Sequence, residues 1–462
     1  MSKAKSGKRL TTKNFIGYAL GDMGGVITFG TIGSFLQMYY TDILHISLGK
    51  IAVLMMIARI WDAINDPICG VLIDSQKPTK YGRFRPYVFW FSVPLAIAFV
   101  LSFIKIPGLS ENQYLIYAYI TYILYGMLYT AVNIPYGSMA SAMTDDFHER
   151  STLSVIRSLG AGFGSAPGQI LLPLFVYSTA VDTGAKYLDA GKLQTGIILL
   201  AGFAVIIFFA FFKLTREYIA PEKPQEKEAV SKTVKDLLKN RPFMALSLAS
   251  MMLIAGSMYT QSVFNYLFKN YYEQPGLFSM VTVSAYIPML ILMPFMGKLA
   301  DRFGKKGICS FGAIFAAAAF LILYLIKTPN PYVFLAVILL SGFGLSFFTL
   351  EVWAMVTDVI DHHELLTKRR SEGTTYASFS FFRKLGQTLA GVGASVAMAA
   401  IGYSTAEGAI IQSEAVNKGI YNIATLVPFV MYLVMSLLLQ FAYPLTRKKV
   451  ADMKDELDRK RK

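Results

Sequence analysis

The chain has 462 residues, 54% of them hydrophobic and only 16% charged, with a formal net charge of +15, whereas ordinary soluble domains carry roughly 25% charged residues. Apolar runs recur from end to end, among them 197–212 and 314–326, which puts the chain in the helical membrane class and argues against a soluble enzyme. Two cysteines, Cys69 and Cys309, lie inside or beside apolar runs and form neither a disulfide framework nor a CxxC motif.

The start of the chain, Met1 to Lys13, holds five Lys/Arg and no acid. The apolar stretch that follows runs about 26 residues without a small-residue cleavage pattern, so it reads as a retained first span and not a signal peptide. A membrane-crossing helix needs about 20 apolar residues, and twelve candidates meet that need, roughly at 14–40, 51–73, 86–104, 113–142, 151–179, 193–212, 243–268, 276–297, 308–326, 331–357, 373–404 and 419–445. With both termini cytoplasmic, the tails and even-numbered connections hold 33 Lys/Arg against 7 in the odd-numbered ones, the bias expected of inner loops. Positive charge spread over every inner loop, and not gathered on one module, speaks against nucleic-acid binding. The polar segment 213–241, with Pro221 and Pro224, divides the chain into an N-terminal bundle (1–213), a cytoplasmic middle loop (214–241), a C-terminal bundle (242–445) and a basic tail (446–462). Within the middle loop Val230, Val234, Leu237 and Leu238 recur at helical spacing, which predicts a short helix at the inner interface.

The halves echo each other. Gly70-Val-Leu-Ile-Asp74 after the second span matches Gly297-Lys-Leu-Ala-Asp301 after the eighth, and Thr144-Asp145 after the fourth matches Thr357-Asp358 after the tenth. Each first echo leads into basic residues around a glycine, Lys80 to Arg85 and Arg302 to Lys306. A duplicated bundle with a central path is the expectation. The inner-end charges Asp74, Arg83, Asp145, Arg150, Asp301, Arg302, Asp358, Asp361 and Arg370 are candidate gating groups; the plainer alternative is that they are solvated loop charges.

Ionisable groups inside a span cost a few kcal/mol each and by default mark a pathway or site. Asp62 and Asp66 stand one turn apart on one face of the second span, an arrangement suited to a small hard cation or a proton, and Arg59 at i−3 can neutralise only one of them. Asp22 is expected to pair with a nearby base; Glu351 either holds a proton or pairs with Lys384, the pairing being the plainer expectation. Tyr129, Asn133 and Tyr136 share a face of the fourth span and offer polar edges and aromatic surface to a sugar ring. No histidine or cysteine spacing suggests a transition metal, and no catalytic or nucleotide motif is present.

Gly297 to Lys305 looks like the loop motif of the major facilitator superfamily. Tyr18-Ala-Leu-Gly-Asp22, Tyr40-Thr-Asp42, the run from Ala58 to Pro67, Gly82-Arg-Phe-Arg-Pro86, Asn133-Ile-Pro-Tyr-Gly137, Thr357 to Asp361 and Phe381 to Gly386 resemble the glycoside-pentoside-hexuronide:cation symporters within that superfamily. The resemblance covers nearly the whole chain. It implies an all-α membrane protein with twelve transmembrane helices in two pseudo-symmetric six-helix bundles, working by alternating access and needing no cofactor beyond a coupling Na⁺ or H⁺. Its implied partners are a small sugar and the bilayer, with a monomer as the unit. By position it implies cation binding, as a metal site if the ion is Na⁺, at Asp62, Asp66, Asn65 and Thr130, and substrate contacts from Arg157 and Lys384 beside Tyr129 and Asn133. Val26, Asn133 and Gly137 stand where melibiose permeases carry two carboxylates and a tryptophan. These departures point from galactosides toward glucuronides and pentosides, and to a less acidic cavity. Two readings outside sugar symport are a facilitator of a non-sugar amphiphile and a membrane sugar receptor.

Overall fold

The computed structural model describes residues 9–75, 78–144, 147–182, 184–218, 230–367, 372–406 and 411–461. They form helices α1 (Thr12–Asp42), α2 (Leu48–Ser75), α3 (Arg85–Leu101), α4 (Glu111–Met143), α5 (Phe147–Ala166), α6 (Ala190–Leu214), α7 (Val230–Lys239), α8 (Arg241–Tyr266), α9 (Phe278–Leu292), α10 (Met296–Phe303), α11 (Lys305–Ile326), α12 (Pro331–Thr367), α13 (Glu372–Ala400), α14 (Glu414–Leu437) and α15 (Arg447–Arg461). Among the described residues eight of the resulting segments are long and apolar enough to cross a membrane. The other four of the twelve expected spans are α3, only 17 residues long, and α2, α5 and α13. Those last three hold the charges Arg59, Asp62, Asp66, Arg157, Arg383 and Lys384, which dilute their hydropathy.

Two compact units divide the chain, one of Met1–Gln225 with Ser404–Ile411 and one of Glu226–Tyr403 with Gln412–Lys462. In the first, α1 packs along α5 and α6, α4 along α2 and α3, and α3 along α6. In the second, α8 packs along α13 and α14, α12 along α9 and α11, and α11 along α14. The five pairings are the same five, so the duplication glimpsed in short sequence echoes extends to the packing of each bundle.

Backbone approach fixes the crossings that matter most for the site. On α5 a Cβ at Gly160 would sit 2.2 Å from the Ala19 carbonyl oxygen, and one at Gly164 2.6 Å from that of Met23. A Cβ at Gly386 on α13 would likewise lie 2.5 Å from the Met251 carbonyl oxygen of α8. Only glycine lets these helices touch backbone to backbone.

Hydropathy marks where the bilayer ends, not where a helix ends, and the spans differ accordingly. The tenth runs on to Thr367, well past the apolar limit at 357. The fifth stops earlier: after α5 the chain makes a π turn at Pro167–Leu171 and a 3₁₀ turn at Leu172–Leu174, where prolines withdraw donors. Tyr177–Thr179, the expected end of that span, instead pairs antiparallel with Lys186–Leu188 in a hairpin. Asp189 closes the hairpin on Ser178 and caps α6 through the amides of Gly191 and Lys192. Those bonds, led by the Lys192 amide, hold its carboxyl below the usual range. The short helix expected from the valine and leucine spacing forms as α7.

At the start of α3 the Glu217 carboxylate accepts from the backbone amides of Arg83, Phe84 and Arg85 at 2.8, 2.8 and 2.9 Å. Gly82 makes room for it, with φ of 107° and no Cβ to strike that carboxylate. Gly304, also at positive φ (78°), opens α11 in the second unit beside Arg447. The two glycines occupy the same place in the repeat.

Candidate cation and substrate site

The α2–α4 contact brings together the two second-span carboxylates and two α4 positions one turn apart. Arg59 Nη1 donates to Asp62 Oδ2 at 3.2 Å. Thr130, a buried residue on α4, donates its hydroxyl to Asp66 Oδ1 at 2.9 Å. One turn earlier on α4, a Cβ at Gly126 would lie only 2.8 Å from Asp62 Oδ1. Each carboxylate therefore has its own neighbours, Arg59 and the bare backbone for Asp62 and a hydroxyl for Asp66. The three charges of this face, two acids and one guanidinium, sum to a net negative charge in mid-span. Asn65 makes no bond to either acid; its Nδ2 is buried and has no partner among the described residues.

A second polar cluster lies where α1, α4 and α5 meet. Arg157 Nε donates to Asp22 Oδ1 at 3.2 Å, and its guanidinium sits 5.2 Å from the Tyr136 ring centroid. The expected basic partner of Asp22 is thus Arg157. Tyr136 is fully buried, stacks on Tyr18 at 5.0 Å and donates its hydroxyl to the Tyr18 carbonyl at 3.0 Å, so it packs the bundle and presents no edge to a sugar. Tyr129 stacks between Phe29, at 5.1 Å, and Tyr125, at 6.0 Å. Asn133 follows one turn later and is half-buried. Val26, read as the vacant place of a first-span carboxylate, lies one turn beyond Asp22 on the same helix. Arg157 therefore takes its acid from Asp22 and not from that position.

In the second unit Lys384 is exposed on α13. The expected pairing of Glu351 with it is not made: the cation whose field reaches buried Glu351 is Lys305. Lys305 itself bonds Asp358 at 2.8 Å, because Asp358 lies two turns further along α12, level with the start of α11. Of the other candidate gating charges, Arg83 gives its amide to Glu217, the Arg302 carbonyl on α10 accepts from Arg447 at 3.4 Å, Asp301 is exposed on α10 and Asp361 is half-buried on α12. Asp145 and Arg370 lie outside the described residues, as do the side chains of Asp74 and Arg150. Among the described residues no three His, Cys, Asp or Glu side chains converge as a metal centre.

Arg383 stands out in the sequence only as one more intramembrane charge. A further signal is nonetheless present: Arg157-Ser-Leu-Gly160 and Arg383-Lys-Leu-Gly386 echo each other at equivalent places in the two halves.

Two like-packed bundles of long apolar helices with ion pairs inside the spans fit a membrane transporter. Similarity to known proteins agrees. The family described as MFS/sugar transport protein matches residues 17–447, and the chain belongs to it. The symporter YjmB of Bacillus subtilis (strain 168), itself uncharacterised, is 32% identical over 463 residues, covering 98% of this chain and 96% of that protein. A glucuronide carrier protein homologue of Escherichia coli (strain K12) is 28% identical and covers 98% of this chain and 97% of its own. Among solved structures, a D-xylose-proton symporter superposes with a TM-score of 0.63 at 14% identity, over 94% of this chain and 98% of that one, which shows the major facilitator fold. The resemblance to glycoside-pentoside-hexuronide:cation symporters is borne out at the level of the family.

Proposed function

We propose that the protein is a symporter of the cell's inner membrane that carries a glycoside, pentoside or hexuronide together with Na⁺ or H⁺. On this reading it is a monomer with both termini cytoplasmic and two six-helix bundles, 1–213 and 242–445, joined by the middle loop 214–241. The carrying observation is the α2–α4 constellation: two carboxylates one turn apart, with Arg59 on one and the Thr130 hydroxyl on the other. A monovalent cation or a proton offsets the net negative charge of that face, so Asp62, Asp66 and Thr130 hold the coupling ion, with the Asn65 carbonyl oxygen as a further ligand. Relatives named as a glucuronide carrier homologue and an isoprimeverose transporter support the sugar class.

Tyr129, Asn133, Arg157 and Lys384 contact the sugar. Binding of cation and sugar is linked: occupancy by one raises affinity for the other by the same factor. The inner-end charges, including Asp145, Arg150 and Arg370, break and remake pairs as access alternates. Counterflow in proteoliposomes with a panel of glycosides, pentosides and hexuronides, with and without Na⁺ and at several pH values, tests the proposal. Exchange of at least one sugar that is stimulated by Na⁺ or by acid is expected. Exchange of none, or exchange indifferent to both ions, would overturn it.

A further inference from the structure

The two units each set an arginine against a polar side chain and an aromatic ring, and only the arginine is common to both. In the first unit Arg157 of α5 reaches Asp22 of α1 and lies 5.2 Å from the ring of Tyr136 on α4. In the second, Arg383 of α13 reaches Ser250 of α8, Nη1 to Oγ at 3.3 Å, and lies 5.5 Å from the ring of Trp353 on α12. The helices correspond pair by pair, and each arginine stands three residues before the glycine, Gly160 or Gly386, that seats its helix on the partner backbone. In the register that sets Met251 against Ala19, Asp22 falls on Ile254, and Arg383 bonds Ser250 one turn earlier on α8.

The consequence is electrostatic. Arg59, Arg157 and Lys305 each have a carboxylate within 3.2 Å. Arg383, half-buried among α8, α12 and α13, has none among the described residues; its partners are a hydroxyl and a ring. An intramembrane charge is retained when something compensates it, and a guanidinium presents a planar fork matched to a carboxylate. Beside it Trp353 and Tyr376 stack at 5.1 Å and 18°, both more than a third exposed. Trp353 has the guanidinium over its ring and Tyr376 stacked on it, so the exposed surface of Tyr376 is what is left to meet the C–H face of a pyranose.

We propose that Arg383, backed by Ser250 and Trp353, is the subsite of the second unit that takes an anionic group of the cargo, the carboxylate of a hexuronide. The proposal rests on the sugar-symporter reading and narrows its substrate class. p-Nitrophenyl β-D-glucuronide and p-nitrophenyl β-D-xyloside differ only in the carboxylate on C5, so they are the probes. Their binding is measured by calorimetry on the purified full-length protein in saturating Na⁺ at neutral pH. The glucuronide binds wild type more tightly. Arg383→Gln weakens the glucuronide at least tenfold and the xyloside less than threefold, and Arg383→Lys falls between. Ser250→Asp supplies the internal acid that the first unit already has, and abolishes the preference for the glucuronide while the xyloside still binds. Equal loss of both sugars in Arg383→Gln makes the arginine structural and overturns the proposal, as does an unaltered glucuronide affinity in that variant or in Ser250→Asp. Wild type that binds the xyloside but not the glucuronide, or neither sugar, overturns this proposal, while the symporter reading stands or falls separately by the counterflow panel.

Discussion

Replacing Gly126 with alanine perturbs the cation site through packing, without touching a charge. The new Cβ would stand 2.8 Å from Asp62 Oδ1, and a carbon–oxygen contact of about 3.4 Å requires the carboxylate to retreat by about 0.6 Å. Arg59 holds the other oxygen at 3.2 Å, so the side chain turns about that anchor and not freely. A hard cation sits about 2.4 Å from its oxygens. Moving one carboxylate charge from about 2.4 to about 3.0 Å at an effective dielectric constant of about 20 costs about 1.4 kcal/mol, or about tenfold in affinity. Helix propensity runs the other way, since alanine for a helical glycine favours the helix by roughly 0.5–1 kcal/mol. The variant is therefore expected to be as stable as wild type while needing about tenfold more Na⁺ for half-maximal stimulation of sugar binding. Gly202→Ala on α6, where a Cβ meets nothing within 4 Å, serves as the control. A sodium titration in detergent alongside thermal unfolding reads both quantities. An unchanged Na⁺ requirement in well-folded Gly126→Ala would refute the placement of the cation beside Asp62.

Asp62→Asn and Asp66→Asn are each expected to abolish cation-driven accumulation while leaving sugar exchange measurable; normal uphill accumulation in both would sink the carboxylate assignment. Glu217→Ala removes the acceptor of three amides at the start of α3 and should destabilise the fold by about 2 kcal/mol, the scale of hydrogen bonds to a charged group; the check is an unfolding temperature below that of Glu217→Gln, and equal temperatures would refute the clasp. With one cation per cycle, a neutral xyloside moves one positive charge and a hexuronide none. In vesicles held at about 100 mV, negative inside, xyloside accumulation should gain about 2.3 kcal/mol, about fortyfold, and glucuronide accumulation nothing, so equal voltage sensitivity would contradict the one-cation assignment.

Spacing along one helix is legible in the sequence. The i, i+4 acids of α2, the reach of Arg59 to Asp62 and the helical period of α7 follow from 3.6 residues per turn, and the structure has all three. Contacts between helices are less so. Nothing near Asp22 in the sequence points to Arg157, far along the chain, because that pair depends on how closely the glycines of α5 let it approach α1. Lys305 takes the place expected of Lys384 beside Glu351 for a similar reason: which residue faces a buried acid is set by helix crossings that hydropathy does not encode. The Glu217 clasp is invisible too, since a lone acid in a polar connection has no pattern until the amides it satisfies are seen.

Duplication also bears on how many ions move. In the register that aligns Asp74 with Asp301, Asp62 falls on Met289, Asp66 on Met293 and Arg59 on Tyr286. The second unit thus keeps the α9–α12 packing that corresponds to α2–α4 but none of the charge. Paired acids in mid-span persist only where an ion repeatedly neutralises them, and a helix relieved of that task reverts to apolar residues, as α9 has. On the proposed assignment the cation therefore has one home, in the first unit. The place of Asp22, which falls on Ile254 when Ala19 is set against Met251, changes in the complementary direction: no acid stands there, and Arg383 bonds a serine hydroxyl instead. On the proposed assignment Asp62 and Asp66 together carry more acid than Arg59 supplies base, while Arg383 has no carboxylate partner among the described residues. A cation and an anionic sugar arriving together restore neutrality at both places, while a neutral sugar restores only one, which is why substrate charge and voltage dependence are two readings of the same arrangement.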